Sequence, residues 1–241
     1  MSTNIEWTDE TWNPVTGCDK VSPGCDHCYA ETIAHRFKGT KAFPDGFAVT
    51  LHPERLDQPL HWRKPRKVFV NSMSDLFHKD IPDEYIARVF ATMALASQHQ
   101  FQVLTKRPGP MRALLTRWAP ISRPWPLPNV WLGVSIESDK FCWRADALRE
   151  TPAAVRFLSL EPLLGPLPSL DLTGIDWVIV GGESGHGARE MYPNWVYDIR
   201  DQCTTAGVAF LFKQWGGRTP KANGRLLDGR TWDEYPEVVD A

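Results

Sequence analysis

WVIVGGES, residues 177–184, is apolar at its first four positions and then passes at once to glycine and polar residues. A strand with one wet face alternates in polarity. A run that is apolar throughout fits a strand covered on both faces, the condition of a parallel sheet. Five further runs read the same way: KVFVNS (67–72), FQVLTKR (101–107), VWLGVSIES (130–138), VRFLSLEP (155–162) and VAFLFKQW (208–215). A seventh strand is expected through ETWNPVT (10–16).

Between these runs lie stretches with helical spacing. PDEYIARVFATMALASQ (82–98) opens on proline and acidic residues. PGPMRALLTRWA (108–119), ESDKFCWRADALRE (137–150) and NWVYDIRDQCTTAG (194–207) behave alike, the last closing on Gly207 as a C-terminal cap. Strand–helix alternation calls for parallel pairing through right-handed crossovers. The fold class expected is therefore α/β, a partial or complete (βα) barrel of about six to seven parallel strands rather than a doubly wound sheet. The whole chain, 1–241, reads as one domain. Its barrel core covers about 5–215, with a polar insertion at 36–66 and a C-terminal extension at 216–241. Proline-rich RWAPISRPWPLPN (117–129) reads as a loop between units.

Composition excludes some roles. The 27 basic and 29 acidic residues nearly balance, so no bulk field draws in nucleic acid. No run approaches the roughly 18 apolar residues of a membrane helix, and MSTNIEWTDETW lacks a signal-peptide pattern. Five cysteines, an odd number, argue for a reducing compartment. A cytoplasmic protein without a membrane partner is the expectation.

Each strand ends in groups that chemistry can use: Asn71-Ser72 with Asp75 nearby, Thr105-Lys106-Arg107, Ser135 and Glu137, Ser159 and Glu161, Gly181-Gly182-Glu183-Ser184, and Lys213-Gln214. In a βα barrel these ends share one rim. Buried glutamates there need partners, for which Lys106, Arg107 and Lys213 are at hand. Paired glycines let backbone approach a ligand closely, although a plain turn would use them too.

TGCDKVSPGCDHCYAE (16–31) holds Cys18, Cys25 and Cys28 in the spacing C-x6-C-x2-C. Zinc and iron–sulfur clusters both take thiolates. Zinc would need a fourth ligand, for which His27 or His35 could serve. A four-iron cluster on three cysteines instead leaves one iron open to a cofactor. Cys142 and Cys203 lie in helical segments and read as buried apolar side chains.

A triplet ending C-x2-C after the first strand of a βα barrel resembles the radical S-adenosylmethionine superfamily. The usual spacing there is C-x3-C-x2-C. Here six residues fill the first gap, His27 precedes the last cysteine, and Tyr29 follows it. More closely, IEWTDETWNPVTGC, SPGCDHCYAE, VFVNSMSDLFH, LTKRP, WLGVSIE, LSLEP and IVGGESG together resemble a phage-associated three-cysteine family of unknown function, itself radical-SAM-like, over most of residues 5 to 215. The resemblance implies a [4Fe-4S] cluster on Cys18, Cys25 and Cys28, with S-adenosyl-L-methionine chelating the fourth iron. Electron transfer from the cluster would cleave the sulfonium and release a 5′-deoxyadenosyl radical, which would abstract hydrogen from substrate. Asn71, Ser72, Ser135, Glu137, Gly181, Gly182 and Glu183 would hold the cofactor. Lys106, Arg107, Glu161 and Lys213 would face substrate, and a ferredoxin or flavodoxin would supply electrons.

Three other features bear on function. HWRKPRK (61–67) joins basic residues to Trp62, which suits a nucleic acid or nucleotide as well as it suits a solvated turn. A non-catalytic zinc- or cluster-binding module for a nucleic-acid or protein partner is the alternative reading. A hydrolase reading rests on Ser184 and His186, but Gly182-Glu183-Ser184-Gly185-His186 misses the final glycine of G-x-S-x-G.

Overall fold

The computed structural model describes residue 3 and residues 5–119 and 124–237, so part of the 117–129 loop lies outside the described residues. Seven strands form one sheet in the order β1 (Glu10–Trp12), β4 (Lys67–Val70), β5 (Gln100–Thr105), β6 (Val130–Ser135), β7 (Val155–Leu160), β8 (Trp177–Gly181) and β9 (Ala209–Gln214), and β2 (Val15–Thr16) and β3 (Thr50–Leu51) form a separate pair. Apart from that pair, the order in space follows the order in sequence. A doubly wound sheet reverses its order at a switch point; this one does not, and the partial-barrel winding is the one present. The contacts group into two compact units.

The first unit comprises residues up to 21, 28–132 and 152–154. Here β1 (Glu10–Trp12), β4 (Lys67–Val70) and β5 (Gln100–Thr105) pair in parallel, with Thr11 opposite Phe69 and Phe69 opposite Gln102. The helix α2 (Asp83–Leu95) follows Pro82 with Asp83 and Glu84 in its first turn, and it buries Ile86, Val89, Phe90 and Met93 at helical spacing. The helix α3 (Pro108–Trp118) starts on proline, where no amide partner is needed.

The insertion at 36–66 is more ordered than its polarity suggests. Thr50–Leu51 (β3) pairs antiparallel with Val15–Thr16 (β2), and Phe43, His52 and Leu56 are buried. A short helix that periodicity does not reveal, α1 (Tyr29–Arg36), buries only Ala30 and Ala34.

The second unit comprises residues 22–27, 133–151 and 155 onward. Its strands β7 (Val155–Leu160), β8 (Trp177–Gly181) and β9 (Ala209–Gln214) pair in parallel. The helices are α4 (Trp143–Arg149) and α5 (Pro193–Ala206), and α5 ends on Gly207 at φ 67°, the left-handed cap its sequence announces. The strand β6 (Val130–Ser135) is buried at every position. Its Gly133 is required by packing, since a Cβ there would stand 2.4 Å from the Phe157 ring.

The extension after 215 is also built in. Phe212 N donates to Trp232 O at 2.9 Å and Glu234 N to Phe210 O at 3.3 Å, so 232–234 lie antiparallel along β9. Cys142 and Cys203 are buried, and burial pushes both thiols up to about 12, as befits inert core side chains.

Candidate metal centre

In the first unit, the turn after β4 braces the chain leading to Cys18. Asn13 Oδ1 accepts from Met73 N at 3.0 Å, Ser74 Oγ donates to Val15 O at 2.9 Å, and Gly17 N donates to Met73 O at 3.0 Å. Gly17 sits at φ 85°, where a Cβ would meet Ala48 O at 2.1 Å. Only glycine admits this crossing.

Asp75 is the keystone. Its Oδ1 accepts from Thr105 Oγ1 at 2.7 Å and Phe77 N at 3.0 Å, and its Oδ2 from Lys106 N at 3.0 Å and Arg107 Nη1 at 3.0 Å. Thus held, Arg107 donates from Nη1 to Cys18 Sγ at 3.3 Å and from Nη2 to Asp19 O at 3.0 Å. Burial disfavours its charge, yet Asp75 and Cys18 outweigh that and hold Arg107 above its ordinary value. Cys28 occupies the N-cap position of α1.

In the second unit, the segment bearing Cys25 is tied down through Glu183. The Glu183 carboxylate accepts from Arg189 Nε at 2.9 Å, Arg189 N at 2.9 Å and Arg189 Nη2 at 2.5 Å, and His27 Nδ1 lies 3.0 Å from it. Arg189 Nη2 also donates to Pro23 O at 2.9 Å, and Nη1 lies 3.5 Å from Asp26. Burial would raise the Glu183 carboxyl, but the bonds from Arg189 and His27 prevail and lower it to about 2.

The other rim residues have protein partners as well. Arg144 Nη1 donates to Ser135 O at 2.7 Å and to Glu137 Oε2 at 2.9 Å, a fully buried pair, with Arg144 over the Phe141 ring. Glu137 packs beneath Gly24, beside Cys25. Lys213 Nζ lies 2.9 Å from Glu161 Oε1, and Ser159 Oγ donates to Glu161 Oε2 at 3.3 Å.

The glycine pair has a packing cause. A Cβ on Gly181 would stand 2.5 Å from Glu161 Oε1, and one on Gly182 would stand 2.1 Å from Trp215 O. Glu161 and the chain after β9 thus occupy the space that a side chain at either glycine would need.

Two rim residues keep unused capacity. Asn71, 2% exposed and at φ 58°, has neither amide atom paired among the described residues, and Glu137 Oε1 is likewise buried without a partner. Buried polar atoms left so are uncommon and point to a ligand or water. Ser72 exchanges hydrogen bonds with Asn13, and its carbonyl accepts from Tyr29 Oη at 2.5 Å.

Cys18, Cys25 and Cys28 are all half-buried and none is in a disulfide. Three thiols outside any disulfide, one of them receiving a guanidinium hydrogen bond, are of a type that could ligate a metal. Among the described residues, the one group of three ligand atoms lying mutually within 4.8 Å is Asp19, His78 and Asp80. Asp80 N donates to His78 Nδ1 at 3.2 Å, which leaves Nε2 as the donor to Asp19 Oδ2 at 3.0 Å; Lys79 covers Asp80. Hydrogen bonds account for that trio.

The basic stretch at 61–67 precedes β4, whereas Asn71 to Asp75 follow it, so the two stand at opposite ends of that strand. Arg66 is also committed, 2.5 Å from Glu10 and over the Trp62 ring. Lys106-Arg107 and HWRKPRK therefore do not make one patch. The hydrolase reading fails too: Ser184 Oγ lies 3.5 Å from Gln214 Nε2, His186 is exposed, and no Ser184–His186 hydrogen bond exists among the described residues. Asp75, Arg144 and Arg189 escaped sequence reading as anchors, because each acts through contacts distant in sequence or across an irregular loop.

A family model described as a protein of unknown function (DUF5131) matches residues 2–236, and the chain belongs to that family. No curated protein matches. A solved structure titled "Spore photoproduct lyase complexed with dinucleoside spore photoproduct" is similar at 11% identity and a TM-score of 0.42, over 78% of this chain. The chain spans 58% of that protein's length.

Proposed function

We propose that this family member is an iron–sulfur protein of the radical S-adenosylmethionine type. Cys18, Cys25 and Cys28 would ligate three irons of a [4Fe-4S] cluster, leaving the fourth for the amino and carboxylate groups of the cofactor. The observation that carries this reading is the set of three half-buried thiols, outside any disulfide, in one segment after the first strand of a parallel sheet. When bound, cluster and cofactor supply reductive cleavage of the sulfonium to a 5′-deoxyadenosyl radical.

The chain's own work is positioning. Arg107, fixed by Asp75, orients Cys18, while Arg189, fixed by Glu183, holds the backbone at Pro23. Glu183 and Arg107 thus support the cysteine segment instead of contacting cofactor or substrate. The unused amide of Asn71 is the first candidate for cofactor binding, with Glu137 Oε1 second. Glu161 and Lys213 neutralise one another, which leaves Lys106 as the rim cation for an anionic substrate such as a nucleotide.

Anaerobic reconstitution with iron and sulfide tests the reading. About four irons per chain, lost when the three cysteines become alanine, with an electron paramagnetic resonance spectrum that shifts on adding S-adenosylmethionine, is the expected result. One tightly held zinc and no iron would overturn it in favour of a non-catalytic metal-binding module.

A further inference from the structure

The helix α1, which begins directly after Cys28, turns its apolar residues outward. Tyr29, Ile33 and Phe37 recur every four residues, one face of the helix and its C-cap, and are 52, 37 and 46% exposed; Val21, before Cys25, is 42% exposed. Ala30 and Ala34 are the buried residues of the helix, and Tyr29, though half exposed, reaches back through its hydroxyl to Ser72 O. This is the reverse of an ordinary surface helix, whose large apolar residues point inward. Contiguous exposed apolar side chains of this kind mark interaction surfaces.

Arg36 lies over the Phe37 ring and exposed Lys38 follows, while the acid of the helix, Glu31, is ion-paired with Lys20 at 3.0 Å. A basic patch with an aromatic and aliphatic centre therefore stands out on a chain of formal net charge −2. Aromatic and arginine anchors with a charged rim are the composition of a protein–protein contact. Ile33, at the centre of the stripe, offers neither a stacking plane nor a charge, so a nucleic acid fits it poorly.

We propose that the exposed face of α1 is the docking surface for a small acidic one-electron donor protein. The proposal rests on the cluster reading, which requires such a donor and puts a ligand, Cys28, at the N-terminus of this helix. One electron passes from the donor, which is oxidised, to the cluster, which is reduced. Arg36 and Lys38 would steer the acidic donor, and Tyr29, Ile33 and Phe37 would form the dry centre of the contact.

The probe is flavodoxin, an acidic flavoprotein, presented to the reconstituted protein. Two quantities are read: the dissociation constant of oxidised flavodoxin, and the rate of cluster reduction by its hydroquinone and, separately, by dithionite. The variants are Ile33→Glu with Phe37→Glu, and Arg36→Glu with Lys38→Glu, with Leu95→Glu as control. Leu95, at the end of α2 that leads into the start of β5, is 74% exposed. Both α1 variants are expected to weaken flavodoxin binding tenfold or more and to slow reduction by flavodoxin equally, with dithionite rates and the Leu95 variant unchanged. Four irons per chain with unchanged flavodoxin affinity in both α1 variants would overturn the docking surface. Absence of iron while flavodoxin binding still depends on α1 would overturn the cluster reading and leave the surface standing.

Discussion

A single nitrogen, Arg107 Nη1, donates both to Cys18 Sγ at 3.3 Å and to Asp75 Oδ2 at 3.0 Å. The acid that anchors the end of β5 thereby also aims a cation at the first cysteine. Removing the guanidinium leaves buried Asp75 without its cationic partner, which costs about 3 kcal/mol. Arg107→Met should lower the urea midpoint accordingly, and reconstituted protein should lose iron to a chelator faster than wild type. Unchanged stability and iron retention would show that the contact is incidental.

Glu183 gives the fold a dependence on pH. Its folded-state carboxyl titrates at about 2 against an ordinary value of 4.5. The ionised form is therefore stabilised, and that stabilisation is fully present above pH 4.5 and lost as pH falls toward 2. Allowing for screening around the half-exposed Arg189, it amounts to about 2 kcal/mol. Chemical denaturation between pH 6 and pH 3 should show this loss in the wild type and a shallower one in Glu183→Gln. Identical pH slopes would refute the assignment.

The two adjacent glycines should differ in tolerance. At Gly182 an added methyl meets the backbone carbonyl of Trp215, which cannot yield; at Gly181 it meets the end of the Glu161 side chain, which can turn aside. Gly182→Ala should cost about 3 kcal/mol and Gly181→Ala about 1 kcal/mol, measured as thermal midpoints. The reverse ranking would contradict the packing cause.

Arg144 and Glu137 form an ion pair that is 2% and 0% exposed. Arg144→Met alone should destabilise by about 3–5 kcal/mol, since it leaves a buried carboxylate uncompensated. Adding Glu137→Leu should recover part of that loss. A double variant worse than the single would mean that Glu137 has another partner that matters more.

The strands were legible because burial on both faces makes them apolar at nearly every position; WVIVG and KVFV need no context to be read. What surrounds Cys18, Cys25 and Cys28 was not legible. Asp75 draws three of its four hydrogen bonds from residues that a 30-residue crossover brings back, and Arg189 reaches Glu183 across an irregular loop. Rim polarity was real, but its residues mostly satisfy one another. The helix α1 carried too weak a signal, because its inward residues are only two alanines. The 36–66 insertion hid its buried Phe43 and Leu56 among polar neighbours.

The residues at 232–234 lie along the outer side of β9, and Arg225–Asp233 and Arg200–Asp228 ion pairs fasten the segment. A bare strand margin is a template on which foreign chains polymerise, and this one is already taken. Associations of this molecule along β9 are accordingly denied a main-chain ladder. A partner on the outward face of α1 would be recruited through side-chain chemistry instead. Such contacts can form and release without unzipping a main-chain ladder.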